Sequence, residues 1–150
     1  MHFGDATILV VEDDATLGEV LAKVLTRPGH CAVSVSSTSI ALRLVEREWP
    51  QLVLLDMCRR DGAALELAAA IRTSSPNLPL IVLAAFPQQE WSFPVSISRF
   101  VTKSINLSDL RQTVEAELSK GNASRKPQRF KFSPKPVPAL ARRLASKVSR

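Results

Sequence analysis

The 150-residue sequence predicts a doubly wound α/β domain built on a parallel sheet, and three observations predict it. Short apolar runs such as "TILVV", "LVLLD" and "LPLIVLAA" are continuous rather than alternating, as strands buried on both faces are. Between them lie stretches whose apolar residues recur at helical spacing. Strand and helix therefore alternate along the chain, the pattern of right-handed βαβ units with helices on both faces of a sheet.

Residues 7–11 (TILVV) are rich in β-branched side chains and bounded by acids, which marks a central strand. After them Leu17, Val20, Leu21, Val24 and Leu25 fall at i, i+3, i+4, i+7 and i+8, with Asp14 as N-cap and Pro28-Gly29 as the stop. That spacing predicts a helix of about three turns. Residues 31–35 (CAVSV) read as a second, less buried strand. Ile40, Ala41, Leu44, Val45 and Trp49 then share one face of a second helix, which Pro50 ends at Trp49.

Residues 52–56 (LVLLD) repeat the buried-strand pattern, and after an Asp61-Gly62 turn "AALELAAAIR" is rich in strong helix formers up to "SSPNLP". Residues 78–85 give a fourth strand. Prolines at 87 and 94 allow only a short helix in the next stretch, where Trp91 and Phe93 are expected to cap the core. "RFVTK" (99–103) is a short fifth strand. "NLSDLRQTVEAELSKG" supplies a capped helix with Leu107, Leu110, Val114 and Leu118 inward and Gly121 as its stop.

At 45% apolar the chain can bury one sizeable core. The net charge of +6 divides unevenly: residues 1–119 hold all 14 acids and ten of the 20 Lys and Arg, net −4, whereas 120–150 hold the other ten bases and no acid, net +10. The expected organisation is a domain over 5–120 followed by a basic, Pro-rich segment over 121–150, mostly disordered by composition. Within that segment Leu140, Ala141, Leu144 and Val148 fall on one side of a short amphipathic helix expected over 138–149. Such a segment suits an acidic protein partner, a membrane surface or nucleic acid. It is too short for a winged-helix or helix-turn-helix domain.

Cys31 and Cys58 lack the number and spacing of a zinc site or disulfide framework, and His2 and His30 are assigned to the surface. There is no basic n-region and no run near the roughly 18 apolar residues of a membrane span, so a soluble cytoplasmic protein is expected.

In a doubly wound sheet ligands bind outside the carboxyl ends of the strands. Those ends collect Glu12, Asp13 and Asp14 after the first strand, Asp56 after the third, Ala84 and Ala85 after the fourth and Lys103 after the fifth. Each alone has an ordinary reading: Asp14 as a helix cap, Asp56 as a strand end, Lys103 as a solvated charge. Together they place carboxylates where Mg²⁺ is the natural counter-ion, with Asp56 as a nucleophile toward a phosphoryl group and Lys103 to contact it.

"ILVVEDD", "LVLLD", "PLIVLAA" and "FVTK", in that order over about residues 5–120, resemble the receiver domain of two-component response regulators. The resemblance implies a flavodoxin-like fold with five strands in the order 2-1-3-4-5 and phosphorylation of Asp56 by a sensor histidine kinase or phosphotransfer protein. It implies signalling to a downstream protein partner and no enzymatic output. By the same resemblance Glu12, Asp13 and Asp56 hold Mg²⁺ with the backbone carbonyl of Cys58, and Lys103 contacts the phosphoryl group. Ala84 and Phe100 stand at switch positions, where the family commonly has Ser or Thr and Tyr, and neither carries a hydroxyl.

Four departures qualify the match. The loop after Asp56 is about two residues short and lacks a proline, which bears on the Cys58 carbonyl and so on metal affinity. Arg59 and Arg60 are either solvated loop charges or a guanidinium that fills the acidic site. Ser104 replaces the proline that usually follows the lysine, leaving the expected cis bond open. The fourth helix must be shortened, with 14 residues (86–99) between Ala85 and Phe100. The alternatives are an interaction module of the same fold that is not switched by phosphorylation, and a nucleic-acid binder acting through the basic segment. A phosphatase with an aspartate nucleophile is disfavoured, because Cys58 stands where a second acid would.

Overall fold

The computed structural model describes residues 6–27, 29–59, 62–86 and 95–124. Five strands, β1 (Ala6–Val11), β2 (His30–Val35), β3 (Leu52–Asp56), β4 (Leu80–Ala84) and β5 (Arg99–Thr102), form one parallel sheet in the order β2-β1-β3-β4-β5. The flavodoxin-like order expected from the resemblance is the order observed. Among the described residues four helices cover the sheet: α1 (Ala15–Leu25), α2 (Thr38–Glu46), α3 (Ala64–Ser74) and α4 (Leu107–Ser124). Among the described residues no helix is long and apolar enough to cross a membrane.

The continuous apolar runs are explained by two cores, one on each face. Leu9, Val11, Val53, Leu55, Leu80 and Val82 pack with Leu44 and Val45 of α2 and Leu67 and Ile71 of α3. Their sequence neighbours Ile8, Val10, Leu52, Leu54, Ile81 and Leu83 pack with Leu21 and Leu25 of α1 and Leu110 and Val114 of α4. Burying each such side chain contributes about 1.5–3 kcal/mol. The central strands are thereby fixed from both sides, and with them the residues at their carboxyl ends.

The helix ends follow local chemistry. Asp14 caps α1, its Oδ1 accepting from the Leu17 N–H at 3.0 Å, and Ser37 caps α2 through the Ile40 N–H at 3.3 Å. Asn106 caps α4 reciprocally: its Oδ1 accepts from the Asp109 N–H and its Nδ2 donates to Asp109 Oδ2, both at 2.8 Å. Arg111 of α4 donates to the Val24 carbonyl near the end of α1 from both Nε and Nη2, and Arg27 pairs with Glu115, so the two helices run side by side away from the carboxyl rim.

Two expected helix ends are corrected. The second helix ends at Glu46 rather than Trp49, because Glu48 adopts a left-handed φ of 57° and the Glu48 and Trp49 N–H groups bond back to the Val45 and Leu44 carbonyls. This Schellman closure ends the helix before Pro50 can act. The last helix passes through Gly121 to Ser124, since a glycine weakens a helix by about 1 kcal/mol without having to end it. His30, assigned to the surface, is the first residue of β2 and half-buried. The expected short helix in 86–99 with Trp91 and Phe93, and the amphipathic helix at 138–149, lie wholly or largely outside the described residues.

The approach to β5 is clasped from α3. Arg72 donates from Nε to the Ser96 carbonyl and from Nη1 to the Leu78 carbonyl, each at 2.6 Å, and burial lowers the pKa of its guanidinium. Ser98 adds its N–H to the Leu80 carbonyl at 2.8 Å and accepts the Leu80 N–H on Oγ at 2.9 Å.

Candidate functional site

The register of β1 and β3 pairs Val11 with Leu55, so the residues that follow, Glu12 and Asp56, emerge side by side. Both are 1% exposed. Lys103 follows β5, with its N–H held by the Ala84 carbonyl at 2.8 Å, and its side chain reaches across β4. Its Nζ lies 3.0 Å from Asp56 Oδ1 and 3.9 Å from Glu12 Oε2.

Each buried carboxylate has one oxygen held by local backbone. The Cys58 N–H donates to Asp56 Oδ1 at 3.0 Å and the Asp14 N–H to Glu12 Oε1 at 3.2 Å. The other oxygens, Glu12 Oε2 and Asp56 Oδ2, are buried without a hydrogen-bond partner. Carboxylate oxygens of Glu12, Asp13 and Asp56 all come within 4.8 Å of one another. Over them opens a cleft of about 330 Å³ lined by Glu12, Asp13, Asp14, Leu17, Cys58 and Lys103.

The electrostatics follow from this crowding. Burial, and then the neighbouring Asp56 carboxylate, push the Glu12 carboxyl up to about 8, against the pull of the Asp14 N–H and Lys103. Burial acts to lower the Lys103 pKa, but the hydrogen bond to Asp56 and the charges of Asp56 and Glu12 outweigh it and the net shift is upward. Buried carboxylate oxygens that lack donors, at mutual distances a single ion can bridge, are a donor set that fits a hard divalent cation.

The structure thus brings Glu12, Asp13, Asp56, Cys58 and Lys103 together. Ala84 ends β4 fully buried and offers only a methyl group, and Phe100 is half-buried against the α2/α3 core. Arg59, read as either a solvated charge or an occupant of the acidic site, is 8% exposed and its Nη2 donates to the Ser36 carbonyl beyond β2. The solvated reading is corrected for Arg59: its guanidinium is buried because a main-chain carbonyl, that of Ser36, receives it. Arg60 lies outside the described residues. No peptide bond among the described residues is cis.

Gly18 was not singled out from sequence. An added Cβ there would lie 2.2 Å from Ser34 Oγ and 3.4 Å from Glu12 Cβ, so α1 seats directly on β2 beside the acidic pocket. A glycine inside an otherwise helical pattern is the signal that pointed to it.

The chain is thus a flavodoxin-like α/β domain with an acidic pocket and a lysine at the carboxyl rim of its sheet. Residues 8–115 match the family model of the response regulator receiver domain, and the chain belongs to that family. Receiver domains of this family are signalling modules of two-component systems. The chain is 29% identical over 121 residues to the transcriptional regulatory protein GlrR of Escherichia coli K12, covering 79% of this chain and 27% of that protein. It is 37% identical over 81 residues to the response regulator protein FleR of Pseudomonas aeruginosa, covering 54% and 17%. The chain therefore spans about a quarter or less of these relatives. A CheY-like receiver domain protein of Methanospirillum hungatei superposes with a TM-score of 0.72 at 20% identity, over 80% of this chain and 98% of that one.

Proposed function

We propose that the chain is a phosphoacceptor in two-component signalling, with Asp56 receiving a phosphoryl group from a sensor histidine kinase or phosphotransfer protein and a downstream protein reading the result. The observation that carries the reading is the Asp56–Lys103 contact at 3.0 Å at the edge of an open cleft. In this reading the Asp56 carboxylate attacks phosphorus, an acyl phosphate forms, and the donor imidazole leaves. Lys103 follows the transferred group and neutralises charge on its oxygens. Glu12, Asp13 and Asp56, with the Cys58 carbonyl, would hold Mg²⁺, which when bound supplies further neutralisation of phosphoryl charge. Leu17, half-buried in the cleft wall on α1, offers apolar footing to a helical donor.

Incubation with acetyl phosphate and Mg²⁺ followed by intact mass tests the reading. Wild type is expected to gain one phosphoryl group and Asp56→Asn none; an unmodified wild type overturns it. Ala84, buried and without a hydroxyl, favours a second reading in which the fold serves as a constitutive interaction module. Under that reading Mg²⁺ in the low-millimolar range leaves the amide spectrum around residues 12–14, 56 and 103 unchanged.

A further inference from the structure

We propose that Arg59 is a positioning residue of the cation site: by tying the loop after β3 to the end of β2 it orients the Cys58 carbonyl, and so sets the preference of the cleft for Mg²⁺ over Ca²⁺. The proposal rests on the reading of that cleft as a cation site. Three consecutive residues of the loop are held by three different parts of the fold. The Met57 N–H donates to the Leu83 carbonyl of β4 at 2.8 Å, and the Cys58 N–H to Asp56 Oδ1 at 3.0 Å. Arg59, 8% exposed, donates from Nη2 to the Ser36 carbonyl, and its own carbonyl accepts the Gly62 N–H at 3.3 Å. The first two ties use main-chain donors that any residue but proline supplies, whereas the third needs a side chain long enough to leave the loop. β2 and β3 lie about 10 Å apart with β1 between them. Arginine has the reach for that width and ends in donors.

What the tie fixes follows from the planarity of the peptide bond. The Cys58 carbonyl and the Arg59 N–H belong to one rigid unit, which turns only through the torsions at Cys58 and Arg59. Cys58 is held through its N–H, and Arg59 through its carbonyl and guanidinium, so the plane between them is clamped on both sides. The anchor is itself fixed. Ser36 follows Val35, whose carbonyl accepts the Glu12 N–H at 3.0 Å, and precedes Ser37, whose Oγ caps α2. The loop that carries Cys58 is thus tied to the same end of β2 that holds Glu12, and the two segments share one point of reference. Mg²⁺ demands near-ideal octahedral geometry at about 2.0–2.1 Å, whereas Ca²⁺ accepts irregular shells at about 2.3–2.6 Å. A Cys58 carbonyl released to swing is therefore a loss mainly for Mg²⁺.

The test compares the full chain with Arg59→Met, which keeps much of the apolar stem and removes the donors. Mg²⁺ and Ca²⁺ are titrated separately and followed by the amides of Asp13, Asp14 and Cys58. Both ions carry the same charge, so the loss of a nearby cation, or a general loosening of the fold, changes the two affinities alike and cancels in their ratio. Arg59→Met is expected to bind Mg²⁺ about tenfold more weakly and Ca²⁺ within about twofold of wild type. Arg59→Lys, which keeps the charge but has a single ammonium in place of the planar fork, is expected to lie between the two. An unchanged ratio overturns the proposal. So does tighter binding of both ions by Arg59→Met, the outcome for a guanidinium that merely competes with the cation for the acids. Wild type alone gives a further reading that survives any failure of the variants to fold: NMR spectra of its arginine side chains are expected to show slow rotation of the Arg59 guanidinium, and rapidly averaged Nη signals overturn the tie. A wild type that binds neither ion overturns the reading of the cleft and the preference with it, whereas a wild type that binds both, with a ratio Arg59→Met does not move, overturns the role of Arg59 alone.

Discussion

Glu12 makes the metal-free protein sensitive to alkali. In the fold its carboxyl is 1% exposed, faces Asp56 and keeps its proton up to about pH 8, whereas in the unfolded chain it ionises at an ordinary 4.5. Between those values the folded state binds more protons than the unfolded state. Stability from this group is therefore present below the unfolded value and lost as pH rises through the folded one. At about 1.4 kcal/mol for each pH unit the loss has a ceiling of about 5 kcal/mol. Glu12→Gln keeps the shape and removes the ionisation. In urea unfolding with EDTA, the two proteins are expected to be similar near about pH 5 and the variant to be more stable by about 3–5 kcal/mol near about pH 9. Mg²⁺ should shrink the gap at high pH by stabilising the ionised carboxylate in the wild type. A difference between wild type and variant that stays flat across this window refutes the picture of a buried carboxyl held neutral beside Asp56.

Gly18→Ala is expected to lose about 1–3 kcal/mol despite the better helix former, because the new Cβ lies 2.2 Å from Ser34 Oγ. Ser34→Gly in the same chain should recover most of it, measured as a double-mutant cycle in urea. Arg72→Ala removes the donor from the Leu78 and Ser96 carbonyls. It should lower stability by about 1–3 kcal/mol and speed hydrogen exchange at Leu80 and Ser98. Glu48→Gly relieves a left-handed φ of 57° and should raise thermal stability by about 0.5–1 kcal/mol, and a fall in melting temperature contradicts that account.

The parts of the fold legible in the sequence are those governed by burial. "LVLLD" announced β3 to the residue because a strand packed on both faces tolerates little but apolar side chains, and Asp56 closes it where packing gives way to the rim. Asp14 was legible as a cap because its oxygen answers a donor three residues on. The end of α2 was not, since no residue type at position 48 advertises a left-handed turn, and Pro50 offered a plausible stop four residues past the true one. Arg59 escaped for a related reason: a charged residue in a short loop reads as solvated until the carbonyl that receives it, 23 residues earlier, is known. The rim was legible as a gathering of acids and a lysine. The distances, the two oxygens without donors and the fit of Gly18 against Ser34 depend on how strands and helix settle against each other, which sequence spacing does not encode.

The two-sided core has a consequence for how freely the site can vary. Ile8, Val10 and Glu12 are of one parity along β1, Leu52, Leu54 and Asp56 of one parity along β3, and Val101 and Lys103 of one parity out of β5. In each case the apolar members face the α1/α4 layer, and the ionisable residue is the next beat of the same rhythm. Inserting or deleting a single residue within β1 or β3 would turn the acid to the opposite layer only by exchanging every core side chain of that strand as well. The reactive groups are therefore kept in phase by the oil beneath them, and their geometry can drift through loops and neighbours but not through the strands that carry them.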